Sequence, residues 1–177
     1  MRWVTRENVH LDRVASPWLI RRFIDPEAEF LFIDPERPWP DDAIPFALPG
    51  AELGMHDENG STFDKLMAHY RIDDPVVADI AGVVRAGIRH LFGEDQAGAS
   101  AETVGLGVAL LALSEGVMVV APGDHRNVAA STVVYDALYA YFWGRRHDPR
   151  VGPASFWERM AALRESCPSF PCGLERK

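Results

Sequence analysis

Cysteine is nearly missing from this chain. Its 177 residues hold two, Cys167 and Cys172, in the segment Cys-Pro-Ser-Phe-Pro-Cys near the end. Two thiols with four residues between them cannot complete a tetrahedral zinc site alone, and a disulfide is disfavoured in a reducing cytosol. Residues 166–177 are expected to be a flexible tail with incidental thiols. Lysine is as scarce, with only Lys65 and Lys177, and 18 basic residues face 26 acidic ones for a net charge of −8. That balance argues against the broad cationic face that nucleic acid requires, so nucleic acid is not an expected partner of this chain alone. The start, Met1-Arg2-Trp3-Val4-Thr5-Arg6, has no apolar stretch of the secretory kind. The most apolar run, Val104 to Ala121, contains three glycines and Glu115, which reads as a buried helix and its exit rather than a membrane span. A cytoplasmic protein is expected. No nucleophile elbow, P-loop, dinucleotide fingerprint or zinc ribbon is present.

What is there is an ordinary globular mixture, 47% hydrophobic, enough for one domain to bury a core without staples. Trp3 to Leu11 reads as a strand or extended segment. Ser16-Pro17 is a helix start by cap and first-position chemistry, and Asp25-Pro26 stops that helix. Glu29 to Ile33 reads as a second strand. Strand, polar turn, helix and strand make a βαβ-like unit. Residues Pro35 to Gly60, with five prolines before residue 50, form a long irregular connection with one short strand near Ile44 to Leu48. Helices are expected from Thr62 to about Ile72, from Asp74-Pro75 to Gly93, and over about Ala101–Glu115, Arg126–Trp143 and Ser155–Arg164. The fold class is therefore α/β to α+β, mainly helical, with a small N-terminal βαβ-like unit packed on a bundle of about five helices.

Two clusters carry the candidate chemistry. His10-x-Asp12-Arg13 sits where a strand hands over to a helix, and on extended backbone residues two apart point the same way. Imidazole plus carboxylate suits divalent metals of intermediate hardness, and an arginine beside helix-start amides suits an anion. The second cluster is His56-Asp57-Glu58, followed by Asp64 at the next helix start. Taken together, His10, Asp12, His56 and Asp64 are expected metal ligands, with Zn, Fe or Mn as the ion. Arg13 and Arg22 are expected to attract an anion. Asp57 and Glu58 are the candidate catalytic bases if the site is hydrolytic. Asp136, inside an otherwise apolar helix, needs a partner if buried, with Arg85 or an N-terminal arginine available.

These residues also carry a resemblance. Val9-His10-Leu11-Asp12-Arg13-Val14-Ala15, then Pro17 to Ala28, then His56-Asp57, Ser61-Thr62-Phe63-Asp64, Asp74-Pro75, Ile80 to Arg85 and Val133 to Tyr139 resemble the C-terminal domain of the bacterial chromate-resistance ChrB family over roughly residues 1–145. The resemblance implies one domain over 1–165, a link to chromate resistance, and a metal or oxyanion ligand. Longer members carry a further N-terminal region, so regulation of DNA by this chain alone is not expected. Members often have Cys at the positions of Ser16 and Ser61, which argues against thiol chemistry there. Three readings follow: a metal- or oxyanion-binding or sensing domain; a metal-dependent hydrolase, whose order of elements resembles the DHH phosphoesterases; and a non-catalytic interaction subunit. A homo-oligomer is compatible with each.

Overall fold

A computed structural model describes residues 1–148 and 153–166. The expectations for the thiols of Cys167 and Cys172 and for the tail lie outside the described residues. The element order is β1 (Arg2–Arg6), α1 (Asp12–Leu19), a π-helical turn (Ile20–Ile24), β2 (Glu29–Ile33), β3 (Ile44–Pro45), α2 (Thr62–His69), α3 (Pro75–Phe92), α4 (Ala101–Val120), α5 (Asp124–His147) and α6 (Pro153–Ser166). The three strands form one parallel sheet in the order β2-β1-β3, with Trp3 opposite both Phe30 and Ile44. The fold is thus mainly helical α+β with a small N-terminal sheet, as the patterning implied.

One core joins sheet and helices. Trp3, Val9, Leu11, Trp18, Phe46, Phe63 and Tyr135 belong to the same buried cluster. Trp18 lies parallel to Phe63 at 6.3 Å between ring centroids. Local chemistry explains several boundaries. Asp74 accepts from the amides of Val76 and Val77, Pro75 fills the first position of α3, and Gly93 closes it in the left-handed conformation. Ser61 caps α2 and forms a capping box with Asp64.

Two expectations fail here. The extended segment ends at Arg6, not at Leu11, because the chain turns at Asn8 (φ 59°). The first helix begins at Asp12, so Ser16 and Pro17 lie inside it and Ser16 is buried. Pro17 has no N–H to offer its helical partner carbonyl, and the helix widens into a π turn three residues later, where the Asp25 amide donates to the Ile20 carbonyl at 2.7 Å. The cap signal of Ser-Pro is overridden by tertiary anchors at Leu11 and Asp12, described below.

The apolar run also departs from its reading as a buried helix. Only Gly107, Leu110, Leu111 and Ser114 of α4 are buried, and Val119 is 79% exposed. Among the described residues, α4 is the helix long and apolar enough to cross a membrane by length and composition, with a mean hydropathy of 2.0. It packs mainly across α3, with further contacts to α5 and, through Ser114, to the Leu11 amide. Gly107 makes that crossing possible: a Cβ there would lie 2.7 Å from both the Ala86 Cβ and the Gly87 amide nitrogen. Gly107→Ala is therefore expected to destabilise the fold by about 1–3 kcal/mol through overpacking. Gly105→Ala, whose new methyl meets nothing within 4 Å, should be neutral or stabilising by up to about 1 kcal/mol. Urea unfolding of the two variants tests the crossing, and equal effects would refute it.

Candidate ligand site

The site begins where β1 ends. The chain between Glu7 and Leu11 has no partner strand, so its backbone groups must be satisfied elsewhere. Helix α5 supplies most of them. The Asp124 carboxylate accepts from the amides of Asn8 (3.1 Å) and Val9 (2.7 Å), and the Asn127 side chain donates to the Val9 carbonyl (2.8 Å). Leu11 is the fixed point. It has φ 47°, a conformation that costs a non-glycine residue about 1–3 kcal/mol, and it is held there from two helices. Its amide donates to Ser114 Oγ on α4 (2.8 Å), and its carbonyl accepts from the Tyr135 hydroxyl on α5 (3.1 Å) and from the amides of Val14 and Ala15. Burial pushes the Tyr135 hydroxyl far above its ordinary pKa, so it stays a donor.

This clamp sets His10 against a cavity. His10 Nε2 is buried and has no hydrogen-bond partner. Burial lowers the pKa of His10; nearby Glu115 opposes the shift and Arg13 adds to it. The imidazole is therefore biased towards its neutral form.

The long connection supplies the other side. Ala47 is another non-glycine residue with positive φ, 50°, and it lines the same cavity. Beyond it, the Lys65 ammonium ties Met55 to Asp57, donating to the Met55 carbonyl (2.6 Å) and the Asp57 carboxylate (2.7 Å). Lys65 and the Asn59 amide hold the Asp57 carboxyl below the usual range. His56 is fixed between these residues. Its Nε2 approaches Glu94 Oε2 at 3.4 Å, and its Nδ1 is buried without a partner.

The two segments meet in a cavity of about 150 Å³ whose polar lining is Arg6, His10, Asp12, Arg13, His56 and Thr62 and whose apolar lining includes Ile88 and Phe92. Arg6 Nε is a third buried nitrogen without a partner. Arg13 donates through Nη1 to the carbonyls of Arg6 (3.3 Å) and Glu7 (3.0 Å). Burial, and then the adjacent Arg6 charge, lower the Arg13 pKa to about 10, with Asp124 and Asp12 opposing. Two like charges thus share one partly buried wall.

The expected site residues divide between this cavity and structural roles. His10, Asp12, Arg13 and His56 all line it, although not by the extended-strand geometry that suggested the first two. Asp12 also holds the start of α2, where its carboxylate accepts from the amides of Thr62 (2.9 Å) and Phe63 (3.1 Å). Burial pushes that carboxyl up from the ordinary range, against the pull of the two amides. Asp64 lies apart. It bonds Ser61 and pairs with Arg85, and both line a separate groove between α2 and α3. Arg22 does not line the cavity; its guanidinium grips Asp136 through two hydrogen bonds of 3.0 and 2.6 Å. The partner of Asp136 is that N-terminal arginine rather than Arg85, which pairs with Asp64. Neither Asp57 nor Glu58 lines the cavity. Among the described residues, no group of three or more His, Cys, Asp or Glu side chains is placed to hold a metal ion. Ser16 is buried inside α1, and Ser61 is engaged as the α2 cap.

Sequence reasoning gives no site role to Arg6, Ser114, Asp124, Asn127 or Tyr135. The available signal is burial of polar groups: Ser114 and Asn127 are polar residues on core-facing helix positions, and each bonds the His10 segment.

Residues 3–142 match the family described as ChrB, C-terminal domain. A curated relative, Protein ChrB of Cupriavidus metallidurans, is 35% identical over 142 residues. The aligned region covers 79% of this chain and 40% of that protein. No solved structure matches the chain.

Proposed function

The chain belongs to the ChrB C-terminal-domain family, and from that premise we propose that it binds a small anion in the cavity between β1, α1 and the end of α3. The observation that carries this reading is the set of three buried, unpartnered nitrogens, Arg6 Nε, His10 Nε2 and His56 Nδ1, on residues lining one cavity. A buried polar group without a partner costs about 1–3 kcal/mol, so three together are uncommon unless something else satisfies them. Arg Nε–H can only donate, and a neutral imidazole always has one N–H to donate. An oxyanion accepts from Arg6 Nε–H and from the Nε2–H tautomer of His10, and from His56 Nδ1 when that ring is an imidazolium, since its Nε2 faces the Glu94 carboxylate. The charge of the anion offsets the repulsion between Arg6 and Arg13.

The link between the resembled family and chromate resistance makes a tetrahedral oxyanion the first ligand class to test. A divalent cation fits these groups less well. Asp12 is engaged by two amides and Asp64 by Ser61 and Arg85. A cation here would depend on two imidazoles beside two guanidinium charges.

The experiment is titration calorimetry with sulfate and with chromate. Both are expected to bind at one site. Arg6→Gln is expected to weaken both by about 10- to 100-fold, the worth of one charge-assisted hydrogen bond. The control is Arg2→Gln, which removes the same charge from an exposed pair with Asp42 and should leave both affinities intact. Equal losses in the two variants would mean non-specific attraction. Binding of zinc or manganese with no response to either anion would replace the anion reading with the metal one.

A further inference from the structure

The anion reading accounts for only half of the cavity wall. The same cavity is lined by Ile88, Leu91 and Phe92 of α3, with Ala47 and Met55 from the long connection. Ile88 and Ala47 are buried, whereas Phe92 is 67%, Leu91 45% and Met55 38% exposed. Three large apolar side chains are thus exposed around one opening. Scattered exposed apolar residues are normal, but apolar residues gathered at a cavity mouth beside polar groups are the usual composition of a small-molecule site.

A bare oxyanion uses this wall poorly. All of its oxygens seek donors, and those turned towards Ile88, Leu91 and Phe92 would be stripped of water without compensation. A ligand with a charged end and an apolar body uses both walls. The volume limits the body: about 150 Å³ is close to that of an apolar cavity that admits one benzene ring.

Building on the anion reading, we infer that this cavity is a site for a small organic acid, a carboxylate carrying one ring-sized apolar group. The carboxylate lies against Arg6, Arg13, His10 and His56. The apolar group lies against Ile88 and Ala47, with Leu91, Phe92 and Met55 closing over it. Two of the four non-glycine residues with positive φ among the described residues, Leu11 and Ala47, line this cavity, and backbone held in such conformations clusters at ligand sites.

The test uses the full chain and three probes: benzoate, which has both halves; sulfate, which has only the charge; and benzyl alcohol, which has only the ring. Benzoate is expected to bind at least tenfold more tightly than either of the others. Arg6→Gln should weaken both anions. The double variant Leu91→Ala/Phe92→Ala should lower the ratio of benzoate to sulfate affinity about tenfold. Both side chains are largely exposed, and thermal unfolding of the double variant checks that the fold survives. If it does not, Phe92→Ala alone, the most exposed of the group, should still lower the ratio at least threefold. Sulfate binding as tightly as benzoate, or a ratio untouched by either substitution, overturns the organic-acid inference and leaves the anion reading standing. No binding of either anion overturns both.

Discussion

Asp136→Ala is expected to lower the free energy of unfolding by about 3–5 kcal/mol, the usual cost of removing one partner of a buried ion pair. The Arg22 side chain is 8% exposed and that of Asp136 13%. Their two hydrogen bonds are joined by a third, from Trp18 Nε1 to Asp136 Oδ1 at 2.7 Å. Alanine at 136 would leave a guanidinium and an indole N–H facing a low-dielectric contact with water largely excluded. The pair also ties the C-terminal end of α1 and the π turn to the middle of α5, so its loss loosens the element that carries His10 and Arg13 at its other end. The charge itself is dispensable. Arg22→Met/Asp136→Leu, which replaces the pair by apolar groups of similar size, should recover most of the stability. Urea unfolding of the three proteins, read at constant m-value, decides the matter. A loss below about 1 kcal/mol for Asp136→Ala would place the pair with ordinary surface bridges.

The residues of this pair show how far sequence reasoning reaches. That Asp136 needs a partner follows from one carboxylate among Val133, Val134, Leu138 and Phe142. Which arginine answers does not, because Arg22 and Asp136 are 114 residues apart and nothing local joins them. Elements defined by their own ends are legible: Asp74-Pro75 and Gly93 bound α3 because cap chemistry acts within a few residues. The first helix is misplaced for the converse reason. Ser16-Pro17 has the local form of a helix start, yet Leu11 and Asp12 are pinned from α2, α4 and α5, and the helix starts there. His10 and His56 stand out because imidazoles at loop-to-helix junctions are conspicuous. Their companion Arg6 is hidden in a row of N-terminal arginines. The clamp of Ser114, Asp124, Asn127 and Tyr135 is hidden by distance, since each residue lies more than 100 positions from its partner. Helix α4 illustrates a different limit: hydropathy measures what a segment could bury, and only tertiary packing determines how much of it is buried.

Asp12→Ala is expected to destabilise the protein by about 3 kcal/mol and to weaken anion binding in the molecules that remain folded. The first effect follows from the start of α2. A helix start leaves its first amides without partners. Here each is met: Thr62 and Phe63 donate to Asp12, Asp64 donates to Ser61 Oγ at 3.2 Å, and Lys65 donates to the Ser61 carbonyl at 3.1 Å. Thr62 and Phe63 are fully buried, so water cannot replace the carboxylate, and two stranded N–H groups at about 1–3 kcal/mol each give the estimate. Asp12→Asn is no rescue, because its amide NH₂ must face one of the two donors; it should fall between wild type and alanine. The second effect follows from position. Asp12 opens α1 while its carboxylate holds the start of α2, so it joins the segment bearing His10 to the segment bearing His56. Without it, the amides of Thr62 and Phe63 should exchange with solvent faster than those in the middle of α3, and the His56 side of the cavity should lose its register with the His10 side. If Asp12→Ala lowered stability while the folded fraction bound sulfate with wild-type affinity, Asp12 would be a helix cap alone and the two halves of the site would be positioned independently.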